Sequence, residues 1–300
     1  MTNRFAAFVI TYRRTEELSV TIKQIFGQDV VPSKLLIIDN DVLGGSIAEQ
    51  FSKDGYPVTY HQMGYNSGPA GASKYALREL TEEGYDFIYW GDDNNGPLFP
   101  DTFSRLIHIF KENSKAGIVG AVGHFFNSHL GIITRMPDTK VYDVSSTPIP
   151  ADCVAGGMSM LVRSEVVIKN GLPDERYFFG LEELDFCLTV KSKGFSILID
   201  PDLYRRCRTL SGKRNYERPI YIRKSEIGLQ REYYSLRNIL LLSIKNKLVI
   251  AFLFNHLRWF IKIFIGFKYG WRYGWKNFSI IFLAFRDFYF GNFGLRVPLR

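Results

Sequence analysis

Residues Phe87-Ile88-Tyr89-Trp90 form an apolar, β-branched and aromatic run that stops at Gly91-Asp92-Asp93-Asn94-Asn95-Gly96-Pro97. A run of that make-up reads as a buried strand, and the Gly-Pro turn marks its end. The chain must therefore bring two carboxylates and two carboxamides to the tip of a core strand. Adjacent Asp side chains repel unless a cation, a basic group or water compensates, so a rigid site holding both suits Mg²⁺ or Mn²⁺ carrying a diphosphate. The competing reading is a solvated turn rich in Asp and Asn.

Strand and helix signals alternate around this run. Ala6 to Thr11 reads as a strand, Glu17 to Phe26 as a helix, and Lys34 to Ile38 as a strand ending at Asp39-Asn40-Asp41. A helix is expected from about Ser46 and a short strand at Val58 to Tyr60. The small-residue loop Asn66-Ser67-Gly68-Pro69-Ala70-Gly71-Ala72 then leads into a helix through Leu80, and Thr102 to Glu112 is helical. This βαβα order predicts an α/β fold: a Rossmann-like, mostly parallel sheet with helices on both faces. Ligands of such sheets bind beyond the carboxyl ends of the strands, where Thr11, Asp39 and Asp92 would converge. Past Gly117 the pattern loosens into Ile118 to Val122, a loop holding His124 and His129, and a stretch from Val141 to Val154. An apolar run from Met158 to Val162 and a short helix over Ser164 to Lys169 follow. A helix over Glu182 to Lys193 is stopped by Gly194, and Phe195 to Ile199 reads as a strand.

With 46% hydrophobic and 23% charged residues the chain is globular rather than disordered. Cys153, Cys187 and Cys207, odd in number and without a CxxC, suggest neither a disulfide framework nor a zinc site. A reducing cytoplasm fits, and the first residues lack the pattern of a secretion signal. Charge is uneven: residues 226 to 300 hold 12 of the 38 Lys+Arg and 3 of the 30 Asp+Glu, a net of +9, leaving residues 1 to 225 at −1. The division expected is a catalytic domain over 1–225 and a basic, aromatic-rich helical region over 226–300. In the latter, Leu248 to Phe254 is interrupted by Asn255, His256 and Arg258, and further on by Lys262. An amphipathic helix lying in the plane of an anionic membrane surface therefore fits better than a spanning one. Packing on the catalytic domain or on a second copy is the alternative. Basic residues among aromatics also raise a nucleic-acid binder, but no RNA- or DNA-reading motif accompanies them.

Two further clusters carry chemical weight. Gly68 and Gly71 remove side-chain bulk where a ligand, or a neighbouring element, comes close to backbone. Glu182-Glu183-Leu184-Asp185 opens a helix, where acids favour the dipole. The flanking Tyr177-Phe178-Phe179-Gly180-Leu181 implies burial, which raises the proton affinity of a carboxylate and suits a general base.

The ordered set Val9-Ile10-Thr11-Tyr12-Arg13, Ile37-Ile38-Asp39-Asn40, Asn66 to Gly71, Asp92-Asp93-Asn94, Gly156-Gly157-Met158 and Phe178 to Asp185 resembles the family two inverting glycosyltransferases, over about residues 5 to 240. It is most similar to the rhamnosyl- and galactofuranosyltransferases of bacterial surface polysaccharides. The resemblance implies a GT-A fold and a nucleoside-diphosphate sugar donor, with UDP or dTDP as the nucleotide. Thr11, Arg13 and Asp39 would hold the nucleoside, and the loop with Asn66, Gly68 and Gly71 would line the donor. Asp92, Asp93 and Asn94 would be the metal motif for Mn²⁺ or Mg²⁺, with Asp93 favoured as direct ligand. The base falls on Glu183, where relatives carry Asp, so Glu182 and Asp185 stay as alternatives.

Many relatives also place a His after the next strand. Here Arg205 and Arg206 follow instead, and they would assist the diphosphate or sit in a solvated loop. The implied reaction is a single displacement onto a hydroxyl of a glycan or lipid-linked glycan, at the inner face of the cytoplasmic membrane. Tyr233-Tyr234-Ser235-Leu236-Arg237-Asn238 also recurs in these enzymes, near the acceptor side. A nucleotidyltransferase is the alternative enzyme, but Thr11-Tyr12-Arg13-Arg14-Thr15 lacks the glycine-rich loop that it needs.

Overall fold

In the computed structural model, residues 4–42, 51, 55–142, 147–155, 159–210 and 223–298 are described. The helix expected from about Ser46 and the Gly156-Gly157-Met158 segment lie outside them. Strand β1 (Phe5–Thr11) is buried along its whole length, as a strand must be when helices cover both faces of a parallel sheet. It pairs in parallel with β2 (Leu35–Asp39) and with β4 (Phe87–Asp92), and β2 pairs in parallel with β3 (Val58–Gln62). The register sets Thr11 beside Asp39 and Ile10 beside Asp92, so the polar tips of three strands meet at one end.

Beyond β4 the sheet continues through β10 (Met160–Arg163), which runs antiparallel between β4 and β5 (Ala116–Gly120). β11 (Ser196–Ile199) lies parallel to β5, and β8 (Ile149–Pro150) closes the edge of this eight-stranded sheet. A second, three-stranded antiparallel sheet is built from β6 (Gly123–Asn127), β7 (Ile132–Arg135) and β9 (Cys153–Val154). The loop expected around His124 and His129 is thus a hairpin.

Helices supply the outer layers. α1 (Thr15–Phe26) buries Leu18, Ile22 and Ile25, and α3 (Thr102–Glu112) buries Phe103, Leu106 and Phe110, each on one helical stripe. α2 (Gly68–Glu82) starts at a glycine with φ +67°, where an added Cβ would lie 2.2 Å from the Phe178 carbonyl oxygen. Short helices α4 (Thr139–Tyr142) and α5 (Ser164–Asn170) and the longer α6 (Glu182–Ser192) follow. Gly194, at φ +88°, ends α6 as its sequence position implied.

α7 (Pro201–Leu210) replaces the loop expected around Arg205 and Arg206. Asp200 is the reason: its Oδ1 accepts the N–H groups of Asp202 and Leu203, each at 2.9 Å, and Pro201 fits the first turn.

The C-terminal region is three helices, α8 (Glu226–Lys245), α9 (Val249–Gly266) and α10 (Trp271–Tyr289). α8 is joined to the sheet by a polar clamp. Arg237 and Asn238, both 0% exposed, hold the turn that precedes α6. The Asn238 amide donates to the carbonyls of Tyr177, Phe179 and Gly180 at 2.7–3.0 Å, and Arg237 donates to those of Arg176, Tyr177 and Gly294. That turn needs holding, because Phe178 (φ +59°) and Leu181 (φ +71°) occupy the left-handed region that L side chains avoid.

α9 corrects a sequence expectation. Val249–Tyr269 is, among the described residues, a stretch apolar enough and long enough to cross a membrane. The polar residue that seemed to interrupt it, Asn255, faces inward and donates to the Leu130 carbonyl at 3.0 Å. Ala251, Asn255 and Trp259 form the buried stripe, while Leu253, Leu257, Phe260 and Phe264 are exposed on another. The helix is therefore packed on the protein along one side and apolar on its open side.

Asn238→Ala would leave the part-buried carbonyls of Phe179 and Gly180 without this donor, while Arg237 still serves that of Tyr177, and would loosen a strained turn. It is expected to lower unfolding stability by about 2 kcal/mol, at roughly 1 kcal/mol per lost bond, as read by urea denaturation.

Candidate active site

At the carboxyl end of β1, β2 and β4 lies a cavity of about 440 Å³. Thr11, Tyr12, Arg14, Asn40 and the Asp92-Asp93-Asn94 tip line one part, Asn66, Gly68 and Pro69 another, and Phe178, Phe179, Ile227 and Arg231 close it. The lining thus draws on the ends of β1, β2 and β4, the start of α2, the clamped turn and the first turns of α8.

The two aspartates differ sharply. Asp93 is buried but partnered: it accepts from the Thr11 hydroxyl at 3.1 Å, the Tyr12 N–H at 3.4 Å and the Arg14 guanidinium at 3.2 Å, which oppose the upward push of burial on its carboxyl. Its own carbonyl accepts from Thr21 at 2.7 Å, which fastens the acidic tip to α1. Asp92 has no such matching: burial, then the Glu183 charge, then Asp93 push its carboxyl up to about 7, with Arg14 opposing. The sequence-based preference for Asp93 as metal ligand therefore meets a carboxylate whose oxygens already hold three donors. Asp92 is the less compensated of the two.

Glu182 and Glu183 open α6 on the same side. Glu182 is buried, its Oε2 has no hydrogen-bond partner among the described residues, and burial with the Glu183 and Asp92 charges holds its carboxyl well above the usual range. Glu183 is partly open to solvent and close enough to Asp92 to act on its ionisation. Asp185, the third candidate base, points away: it accepts from the Tyr177 hydroxyl at 3.0 Å and from Lys245 of α8 at 2.5 Å. It ties α6 to the C-terminal helices.

Asp39 accepts the Tyr60 hydroxyl at 2.6 Å and the Asp41 N–H at 2.7 Å, beside the cavity rather than in its lining. Arg13 pairs with Asp41 at 3.1 Å outside the cavity. Gly71 is needed for packing, since a Cβ there would lie 2.6 Å from that of Ser67. Asn94 is exposed at the cavity rim.

Arg205 and Arg206 are corrected by α7, which turns both away from the diphosphate position expected for them. Arg206 donates twice to Asp101 at 2.7 and 2.8 Å and lies over the Phe99 ring, and Arg205 donates to the Val141 carbonyl at 3.0 Å. Arg14 and Arg231 take up the cavity positions instead. Sequence reasoning passed over both. Arg14 carried a signal, three residues past the strand end that supplies Thr11. Arg231, on a helix far along the chain, carried none. Asn40 was quoted only as a motif member, yet it accepts the Ser67 N–H at 3.1 Å and hydroxyl at 2.7 Å and so shapes the donor-side loop.

The donor set fits a hard divalent cation. Its members are oxygens, and an added positive charge would relieve the repulsion that raises Asp92. Among the described residues no group of three or more His, Cys, Asp or Glu forms a ready-made cage, so such a cation would take few ligands from the protein.

Residues 6–164 match the sequence pattern described as Glycosyl transferase family 2, and the chain belongs to that family. Its fold is GT-A. Galactofuranosyltransferase GlfT1 of Mycolicibacterium smegmatis is 26% identical over 190 residues, 60% of this chain and 62% of that protein. The Mycobacterium tuberculosis counterpart is 23% identical over 194 residues, 62% of this chain and 64% of that one, so the aligned part spans less than two thirds of either relative. Among solved structures, mannosyltransferase PcManGT from Pyrobaculum calidifontis, in complex with GDP-Man and Mn²⁺, superposes with a TM-score of 0.58 over 97% of this chain and 88% of its own at 11% identity. S. aureus TarS 1-349 does so at 0.55 over 94% and 80%, at 14% identity.

Because Asp92 holds its proton up to about pH 7 when folded and to about pH 4 when unfolded, the folded state binds the extra proton between those values. Ionising it subtracts stability as pH rises through that window. Metal-free protein is expected to lose more thermal stability between pH 5 and pH 8 than Asp92→Asn. At pH 8 the variant should melt higher by about 2–4 °C per kcal/mol relieved.

Proposed function

We propose that this chain is an inverting, metal-dependent glycosyltransferase that moves a sugar from a nucleoside-diphosphate donor to a hydroxyl of a glycan or lipid-linked glycan in bacterial surface polysaccharide synthesis. Galactofuranose is favoured over rhamnose by the named activity of the GlfT1 relatives. UDP and dTDP are the candidate nucleotides. One observation carries the reading: Asp92, at the tip of β4, and Glu183, at the start of α6, are 91 positions apart in sequence and close enough for the charge of one to act on the other's ionisation.

In this reading Asp92, flanked by Asp93 and Asn94, would hold Mn²⁺ or Mg²⁺, which supplies charge neutralisation to the diphosphate leaving group. Thr11 and Asn40 position the nucleotide side of the donor. Arg14 and Arg231 offset the phosphate charge that grows as the sugar leaves. Glu183 accepts the proton of the acceptor hydroxyl while that oxygen bonds to the anomeric carbon and the carbon–phosphate-oxygen bond breaks, so one attack inverts the configuration. Burial, with the Glu183 and Asp92 charges, favours the neutral form of Glu182, which limits the negative charge around the base. The open apolar side of α9 would rest on the inner face of the cytoplasmic membrane or on a second copy of the chain.

Glu183→Gln is expected to lower kcat by about 10³-fold while leaving donor affinity in place, as measured by nucleoside-diphosphate release and by donor titration. Asp92→Ala should abolish stimulation by Mn²⁺. Product that retains the donor's anomeric configuration, or release of pyrophosphate in place of a nucleoside diphosphate, would overturn the proposal.

A further inference from the structure

A second groove, open and about 690 Å³ in volume, lies between the start of α8 and the α9–α10 turn. Four cations line it, Arg223, Lys224, Arg272 and Lys276. The one acid among its described lining residues, Glu226, is paired with Lys276 at 2.5 Å, so the groove has a net charge of +3. Tyr273 braces its wall: its hydroxyl accepts the Lys224 N–H at 3.0 Å, and the Arg223 guanidinium sits 5.8 Å from the centre of its ring.

Two features set this groove apart from a merely solvated basic patch. Beside it Trp271 and Trp275 stand exposed, with Phe267 packed between the two helices against both. Exposed Phe264, Phe260, Leu257 and Leu253 continue the apolar surface along α9 at helical spacing. Cations next to tryptophans, at the edge of an open apolar stripe, make the arrangement of a protein seated at a bilayer interface, where the stripe meets acyl chains and the cations meet phosphates. The groove also adjoins the catalytic cavity. Ile227 and Arg231 of α8 line that cavity, while Glu226 and Leu229 of the same turns line the groove. The two sites are therefore separated by about one helix diameter, roughly 10 Å.

We infer that this groove seats the phosphate headgroup of the membrane lipid that carries the acceptor. The lipid's chains lie under the α9 stripe beside Trp271 and Trp275, and its sugar end reaches past α8 to Glu183. The acceptor part of this inference rests on the transfer reading above, whereas the binding of a lipid phosphate does not.

The test is flotation of the full chain with phosphatidylcholine vesicles carrying either an isoprenyl diphosphate or phosphatidylglycerol at equal surface charge. Wild type is expected to bind the diphosphate lipid at least about tenfold more tightly. Arg223→Ala/Arg272→Ala should lose roughly 25-fold, at roughly fivefold per interfacial cation. Lys111→Ala/Lys193→Ala, which removes the same charge from the catalytic domain, should lose nothing of comparable size. Thermal stabilisation by UDP with Mn²⁺ should be the same in all three proteins. Equal binding to both vesicle types, or an unaffected groove variant, would overturn the inference. So would thermal stabilisation by free inorganic diphosphate, lost in the groove variant, with no preference among vesicles, since that marks a soluble-anion site. If the vesicle preference holds while no nucleotide sugar is turned over, the lipid site stands and the transfer reading falls.

Discussion

Burial of the carboxyl groups of Asp92 and Glu182, compounded by repulsion among them and Glu183, is the constraint around which the candidate site is arranged. A protein gains nothing in stability from crowding acids at reduced dielectric, and the raised proton affinities of Asp92 and Glu182 register that cost. The fold contains it in part by pairing the fourth acid, Asp93, with the Arg14 guanidinium and the Thr11 hydroxyl, which oppose the upward push of burial on its carboxyl, and by anchoring the acidic tip through Thr21. What remains uncompensated lies next to an open cavity, where an incoming cation would meet charge already in position.

The sheet's half of this arrangement was plain in the sequence. β1, β2 and β4 are continuous apolar runs that stop at polar residues, and parallel register alone brings Thr11, Asp39 and Asp92 to one end. The α6 acids were legible as a helix start. Their separate roles were not, because side chains two residues apart on a helix face different neighbours: Asp185 meets Lys245, while Glu183 acts on Asp92. Arg205 and Arg206 were misplaced for a different reason. The Asp200-Pro201 pair is a helix-start signal that was passed over, and the helix it opens commits to Asp101 and Val141 two arginines expected at the diphosphate.

The C-terminal helices show the limit of reading polarity along a line. Asn255 breaks an apolar run on paper, but in three dimensions it hydrogen-bonds the Leu130 carbonyl, and the exposed side of α9 stays apolar. The motif ending in Arg237-Asn238 was visible as a motif only. That it serves the far turn at Phe178 and Leu181, rather than a ligand directly, is a tertiary fact: three carbonyls converge on one amide from a segment some sixty residues away.

The clamp also bears on the order in which the molecule is completed. On the ribosome, the acids of α6 emerge well before Arg237 and Asn238, and the Gly294 carbonyl that anchors Arg237 emerges later still. Until then the turn with two left-handed residues lacks this clamp. A nascent chain thus carries its sheet and acidic tips early but completes the support of the α6 acids only after the helix bearing the apolar stripe has been made and docked.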